Sequence, residues 1–157
     1  IEGKPMIERV LDSLNFTNKI GIITGHRSDD LEKALAHRED VFFIHNPYYQ
    51  QGLSTSVHRA IKYAEEKDED LLITLADLPF VEGDDYKRLR SAYVGNPIFA
   101  SFEKIYGPPC IIPKKSFALK HKMSGDLGLK SLFGVVDLVS IPNAAKDIDT
   151  EQDLKNF

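Results

Sequence analysis

Apolar residues alternate along the chain between short β-rich runs and segments with helical spacing. The β-rich runs predict strands over residues 19–24, 41–45, 71–76 and 135–141, and two strands within 97–112 joined through 104–107. The helical spacing predicts helices over residues 6–14, 29–37, 54–66, 82–93 and 127–133, and a terminal helix from 151. This alternation is typical of βαβ units, so we expect an α/β protein with a mostly parallel sheet.

Composition narrows the class of protein. With 157 residues and 42% hydrophobic content, the chain can bury one core, and we expect a single domain over residues 1–157. The net charge of -4 and the interspersed charges leave no basic stripe, which argues against nucleic-acid binding. No apolar segment approaches the ~20 residues that span a bilayer, so we expect a cytoplasmic protein with no membrane partner. Cys110 is the only cysteine, which excludes an internal disulfide, and its apolar neighbours predict a buried thiol.

An aspartate ends the third predicted strand. Asp77 follows the apolar run 71–76 and precedes Leu78 and Pro79. Open α/β sheets bind ligands at the carboxyl ends of their strands, so an acid at this position is suited to a binding site. An aspartate before a proline-containing turn can equally cap that turn, and the two interpretations stay open here.

A second polar loop, residues 46–56, runs from a predicted strand end into a predicted helix start. Gly52 permits close backbone approach, and Ser54 and Ser56 place hydroxyls beside the unpaired amides of the helix start. Such a corner can hold a base, a ribose or a phosphate. The alternative is that one serine simply caps the helix.

Two further acidic loops lie late in the chain. Asp126, between Gly125 and Gly128, could cap the next helix or approach a metal-bound phosphate. Asp147 and Asp149 precede a capping pair, Thr150 and Asp153. If Asp77 and one of these later acids meet, they supply the oxygen ligands that Mg²⁺ prefers and leave coordination positions for phosphates. The loops therefore predict a magnesium-nucleotide site suited to nucleotidyl transfer, which needs no protein nucleophile.

The order of the motifs resembles a known family. The motifs are Gly3-Lys4-Pro5-Met6-Ile7, the loop 46–56, Leu75-Ala76-Asp77-Leu78-Pro79, Gly107-Pro108-Pro109, Gly125-Asp126-Leu127-Gly128 and Asp147-Ile148-Asp149-Thr150. In this order they resemble the MobA/MocA-like nucleotidyltransferases. The resemblance implies a three-layer α/β/α Rossmann-like fold of the nucleotide-diphospho-sugar transferase type. It also implies transfer of CMP or GMP from CTP or GTP, with Mg²⁺, to molybdopterin, with release of pyrophosphate and delivery of the product to a molybdoenzyme or its chaperone.

The resemblance assigns roles to individual residues. Asp77 matches the strand-end aspartate and would be the catalytic magnesium ligand, with Asp149 as a second metal ligand. The nucleotide and acceptor would contact the remaining matched positions, which are Gly52, Ser54, Ser56, Gly125, Asp126, Gly128 and Asp147.

One departure from the family concerns the start of the chain. Family members begin with a strand and a Leu-Ala-(Ala/Gly)-Gly loop whose Arg and Lys residues grip the triphosphate, and neither precedes Met6 here. We therefore expect the native beginning, with its strand and phosphate loop, to be missing from this sequence, and the choice between CTP and GTP cannot be read from what remains.

Two alternatives to this function stay open. The first is a non-catalytic nucleotide-binding or regulatory module of the same fold, and the second is a nucleotidyltransferase for another small phosphorylated acceptor. The acids Asp77, Asp126 and Asp149 favour an enzyme, because a scaffold has no use for exposed acids at three loop ends.

Overall fold

The computed structural model describes residues 4–17, 19–125 and 129–148. The helices are α1 (Met6–Ser13), α2 (Ser28–Ala34), α3 (Leu53–Lys67) and α4 (Gly83–Ala92). The strands are β1 (Ile20–Thr24), β2 (Val41–His45), β3 (Leu71–Ile73), β4 (Ile98–Phe102), β5 (Ile105–Ile112) and β6 (Asp137–Ser140). Short 3₁₀ segments cover Tyr49–Gln51, Lys114–Lys122, Leu129–Leu132 and Pro142–Ala145. The α/β class predicted from the sequence is confirmed.

The chain divides into two compact units. The first comprises the described residues of Ile1–Phe16, Leu72–Ile112 and Val135–Phe157. Its four-stranded sheet has the order β3-β5-β4-β6, in which β4 runs antiparallel to β5 and parallel to β6. Helix α4 packs on this sheet and buries Tyr86 and Leu89 completely.

The second unit comprises the described residues of Thr17–Leu71 and Pro113–Gly134. Strands β1 and β2 pair in parallel, with Thr24 opposite His45 at their carboxyl ends. The apolar face of α3 packs on β1 and buries Val57, Ile61 and Ala64. The expectation of a single domain over 1–157 stays a prediction.

The third strand is shorter than predicted. The apolar run to Ala76 predicted a strand covered on both faces, but β3 ends at Ile73 and its residues are only half-buried. Beyond it, backbone bonds close a turn instead of extending the ladder, because the amide of Leu78 donates to the carbonyl oxygen of Leu75 at 3.4 Å. The proline that follows Leu78 has no amide hydrogen to extend a ladder.

The other boundaries agree closely with the pattern of apolar residues, with four exceptions. The predicted connection through 104–107 is wrong, because residues 105–107 pair with β4 as the start of β5. The helix predicted over 29–37 ends at Ala34. The predicted short helix over 127–133 is a 3₁₀ segment over Leu129–Leu132. The predicted terminal helix from 151 lies outside the described residues. Among the described residues, no helix combines the length and apolarity required to cross a membrane.

Candidate metal and nucleotide sites

Asp77 lies in the turn after β3, within the first unit. The side chain is half-buried, and its Oδ1 atom is inaccessible to solvent. The prediction that Asp77 ends the strand is wrong, because β3 ends at Ile73, but the acid lies on the carboxyl-terminal side of that strand, where open α/β sheets bind ligands.

The late acidic segment meets the Asp77 turn through its backbone. The amide of Ile148 donates a hydrogen bond to the carbonyl oxygen of Asp77 at 3.0 Å. The side chain of Ile148 is buried, at 5% exposure, whereas the preceding Asp147 is exposed. This bond therefore holds the backbone directly after Asp147 against the Asp77 turn. Asp149, the predicted second metal ligand, lies outside the described residues.

The donor chemistry at the Asp77 turn fits a hard divalent cation. Within the described ranges, no group of three or more His, Cys, Asp or Glu side chains could hold a metal by itself. Mg²⁺ does not need such a cage, because it is commonly bound through one or two carboxylates together with substrate phosphates and water. The carboxylate of Asp77 is suited to that requirement.

The serine corner forms the start of α3 in the second unit. Gly52 is the residue before the helix and has φ 107°, a conformation that glycine adopts without a steric penalty. It carries no capping side chain, and Ser54 and Ser56 lie inside the first turn of the helix. The alternative that a serine caps this helix is therefore wrong. Ser54 is buried and Ser56 is half-buried.

A buried asparagine organises this corner. Asn46 is fully buried at the end of β2. Its Nδ2 donates to Thr55 Oγ1 at 2.8 Å and to Ser56 Oγ at 3.0 Å, while its Oδ1 accepts the backbone amide of Tyr48 at 3.0 Å. These bonds join the strand end, the loop and the first turn of α3 into one polar network.

Asn46 and Thr55 were not predicted as functional residues. The available signal was an asparagine directly before Pro47, since asparagine side chains often hydrogen-bond the backbone amide two residues on. The sequence held no comparable signal for the hydrogen bonds from Asn46 to α3, because these bonds depend on how the loop between β2 and α3 folds back.

The glycine-aspartate loop approaches the same corner. The amide of Ser54 donates to the carbonyl oxygen of Gly125 at 3.1 Å, and Gly125 has φ 58°. The structure thus brings Gly125 together with the predicted residues of the serine corner. The predicted residues Asp126 and Gly128 lie outside the described residues.

The single cysteine takes no part in either site. Cys110 is completely buried in β5, and this burial raises the pKa of its thiol. A thiol held neutral is a poor nucleophile, so the prediction of a core cysteine is confirmed.

Known sequences match this chain over most of its length. The family model described as the MobA-like NTP transferase domain matches residues 1–141. The molybdenum cofactor cytidylyltransferase of Escherichia coli K12 is 28% identical over 156 residues, which cover 97% of this chain and 80% of that enzyme. The bifunctional protein GlmU of Thermosipho africanus is 31% identical over 94 residues, which cover 60% of this chain and 20% of that protein. The chain therefore spans about a fifth of that longer relative.

Solved structures share the fold. The 4-diphosphocytidyl-2C-methyl-D-erythritol synthase of Anaerococcus prevotii matches with a TM-score of 0.81 and 13% identity over 99% of this chain and 85% of its own. Rv0371c of Mycobacterium tuberculosis, solved in complex with manganese, matches with a TM-score of 0.77 and 17% identity over 99% of this chain and 86% of its own. These matches confirm the fold predicted from the motifs.

Proposed function

Because this chain belongs to the family of MobA-like NTP transferase domains, we propose that it transfers CMP from CTP to the phosphate of molybdopterin and releases pyrophosphate. Family membership confirms the predicted nucleotidyltransferase class. The observation that carries the choice of CTP and molybdopterin is the match to the molybdenum cofactor cytidylyltransferase of E. coli, which extends over 97% of this chain.

The reaction exchanges one bond at phosphorus for another. An oxygen of the acceptor phosphate attacks the α-phosphorus of CTP, and the bond from that phosphorus to the bridging oxygen breaks as pyrophosphate leaves. A bound Mg²⁺ would supply positive charge against the negative charge of the phosphates and the leaving group. The protein has to hold the α-phosphorus in line with the incoming oxygen.

We assign the metal to the Asp77 turn. Asp77 would contribute a carboxylate oxygen, and Asp149 is the proposed second metal ligand. The hydrogen bond from Ile148 to Asp77 supports this assignment, because it holds the segment that ends at Ile148, directly before Asp149 in the sequence, against the turn. The manganese complex of Rv0371c supports a divalent cation, and Mg²⁺ is the ion that we propose.

We assign the substrates to the serine corner and the acidic loops. Gly52, Ser54 and Ser56 would contact the nucleotide or the acceptor, and Gly125 lies beside them through its bond from Ser54. Asp126, Gly128 and Asp147 complete the proposed substrate contacts. Delivery of the product to a molybdoenzyme or its chaperone belongs to the same proposal, and the cytoplasmic location stays a prediction.

Calorimetric titration of the natural-length protein with CTP and with GTP, in Mg²⁺ and in EDTA, tests this assignment. We expect CTP to bind at least about tenfold more tightly than GTP, and only when Mg²⁺ is present. Asp77→Asn should abolish the Mg²⁺-dependent binding without unfolding the protein, because one charged metal ligand is lost from a turn. Asp84→Asn is the matched control, because Asp84 is an exposed acid that pairs with Lys87 at the start of α4.

The outcomes separate the candidate functions. Preferential binding of GTP would replace the cytidylyl assignment with a guanylyl one, and binding of neither nucleotide would favour the non-catalytic module. If CTP binds but molybdopterin does not stimulate pyrophosphate release, another phosphorylated acceptor replaces molybdopterin. The likeness to 4-diphosphocytidyl-2C-methyl-D-erythritol synthase supports testing a phosphorylated polyol in that case.

A further inference from the structure

The orientation of the Asn46 amide is determined by its surroundings. A backbone amide can only donate, so the atom that faces the amide of Tyr48 at 3.0 Å must be the carbonyl oxygen of Asn46. The side-chain NH₂ group consequently faces Thr55 and Ser56 and donates one hydrogen to each hydroxyl. Asn46 is fully buried, so this arrangement excludes competing water.

The hydroxyls of Thr55 and Ser56 differ in whether a described residue already accepts their own proton. Thr55 Oγ1 lies 2.9 Å from the carbonyl oxygen of Gly52 and 3.1 Å from that of Tyr48, so its proton is used within the loop. In the part of the chain that the structure describes, the hydrogen bond that Ser56 Oγ makes is the one it accepts from Asn46. A hydroxyl that accepts a bond from an amide still has one proton to donate.

We propose that Asn46 sets the hydrogen-bond polarity of Ser56, so that the Ser56 hydroxyl donates to an acceptor oxygen of a bound substrate. Asn46 is a positioning residue in this arrangement, and Ser56 makes the contact. The oxygen belongs to a phosphate, a ribose or a carbonyl group, all of which CTP carries, or to the phosphate of the acceptor. Groups that can only donate are rejected at this position, because they would leave the Ser56 proton without a partner.

Three variants of the natural-length protein test the polarity in a steady-state transfer assay. Ser56→Ala removes the donor and should raise the KM of one substrate about tenfold with little change in kcat, because a ground-state contact is lost. Ser56→Thr retains the hydroxyl and should restore the KM to within about threefold of the wild-type value. Asn46→Asp has nearly the same shape and still accepts from Tyr48, but its carboxylate accepts from Ser56 instead of donating to it.

Asn46→Asp should therefore raise the same KM as Ser56→Ala does. The decisive measurement is the double variant, because Asn46→Asp should change the KM less than about twofold when Ser56 is already alanine. An equal effect of Asn46→Asp in both backgrounds would mean that Asn46 only supports the fold, and would overturn the proposal. An unchanged KM for both substrates in Ser56→Ala would overturn it as well.

Thermal unfolding of every variant accompanies the kinetics. If Asn46→Asp does not fold, Asn46→Ala takes its place in the same cycle, because it also removes the donor to Ser56. A rise in KM caused by Asn46→Ala that disappears in the Ser56→Ala background supports the proposal. A rise in KM that persists unchanged in that background overturns it.

The substrate whose KM rises identifies the source of the acceptor oxygen. A raised KM for CTP alone assigns the contact to the nucleotide, and a raised KM for molybdopterin alone assigns it to the acceptor phosphate. The inference rests on the proposed function, and the two fail differently. A wild type that transfers neither CMP nor GMP would contradict both the proposed function and the inference about Asn46. An active wild type whose variants have unchanged KM values would contradict the inference alone.

Discussion

Ile148 donates its backbone amide to the carbonyl oxygen of Asp77 at 3.0 Å, while its side chain is buried at 5% exposure. The residue has two separable roles, since the amide holds the Asp77 turn and the side chain packs in the core. Asp147 and Asp149 are its neighbours in sequence. The hydrogen bond from the Ile148 amide therefore links the two segments to which we assign the metal.

Replacing Ile148 with proline should change the requirement for metal. Proline removes the amide hydrogen, so the bond to Asp77 is lost. We expect Ile148→Pro to raise the Mg²⁺ concentration for half-maximal activity by about fivefold or more, because a turn held by one bond fewer positions its carboxylate less well. Ile148→Ala is the matched control, since it loses a similar part of the buried side chain and keeps the amide.

Both Ile148 variants should lose roughly 2–4 kcal/mol of unfolding free energy through the cavity that they leave. Measuring the Mg²⁺ requirement at a temperature where both variants remain folded separates the loss of the hydrogen bond from the loss of stability. Equal Mg²⁺ requirements in the two variants would show that the backbone bond does not position the metal site.

We expect Gly125 to affect substrate binding as well as the stability of the fold. Gly125 and Gly95 have positive φ angles of 58° and 90°, and neither would place a Cβ within 4 Å of another group. Alanine at either position should therefore destabilise the fold by about 1–2 kcal/mol through backbone strain alone. The carbonyl oxygen of Gly125 also accepts the amide of Ser54, and a backbone shift that relieves this strain would weaken that hydrogen bond, so Gly125→Ala should additionally raise the KM of a substrate about threefold or more.

Gly95→Ala supplies the comparison for that experiment, because Gly95 lies in the loop between α4 and β4, away from the serine corner in sequence. It should unfold at a lower temperature and bind its substrates normally. A Gly125→Ala variant with normal KM values would remove Gly125 from the substrate site and leave it a conformational role.

Elements that are specified locally could be predicted from the sequence. Strand β2 was predicted over 41–45 and is observed at Val41–His45, because a β-branched and aromatic run is bounded there by polar residues. Helix α4 was predicted within 82–93 and is observed at Gly83–Ala92. The amide of Glu82 is capped by the carboxylate of Asp85 at 3.2 Å, a local signal that the sequence carries.

Contacts between distant segments could not be predicted. Apolar periodicity indicates which face of an element is buried, but it does not indicate which loops meet. The bond from Ile148 to Asp77 and the bonds from Asn46 to Thr55 and Ser56 both depend on such meetings. The shortening of β3 has a local origin instead, because the backbone hydrogen bond from Leu78 to Leu75 closes a turn that the apolar run did not indicate.

Gly25 leaves room for the loop that follows β2. A Cβ at this position would lie 2.6 Å from both Cβ and Cγ of Tyr49. We expect Gly25→Ala to destabilise the protein by about 1–3 kcal/mol, because either β1 or the Tyr49 segment has to move. Chemical denaturation measures the loss, and Gly134→Ala is the control, since nothing lies within 4 Å of its Cβ position. Equal stability of the two variants would contradict the close packing of Gly25 on Tyr49.

Tyr86 makes the stability of the first unit depend on pH in the alkaline range. Its ring is completely buried, and burial, together with a smaller effect of the neighbouring Asp85 charge, raises the pKa of its hydroxyl from 10.0 to about 12. The bond of 2.8 Å to the Thr74 hydroxyl opposes this shift. Because the folded-state pKa is raised, the unfolded chain ionises first. The stabilisation is therefore complete below pH 10 and is lost as the pH rises towards 12.

Tyr86→Phe removes this titration and the bond to Thr74 together. At neutral pH we expect the variant to be less stable than the wild type by about 1 kcal/mol, because a buried hydrogen bond is lost. Between pH 10 and 12 the wild type should lose about 2 kcal/mol more than the variant, so the order of stability reverses. Urea denaturation across this pH range measures both effects. Thr74→Val is the control that loses the bond and keeps the titration; if Tyr86→Phe shows the same alkaline slope as Thr74→Val, the slope does not come from Tyr86.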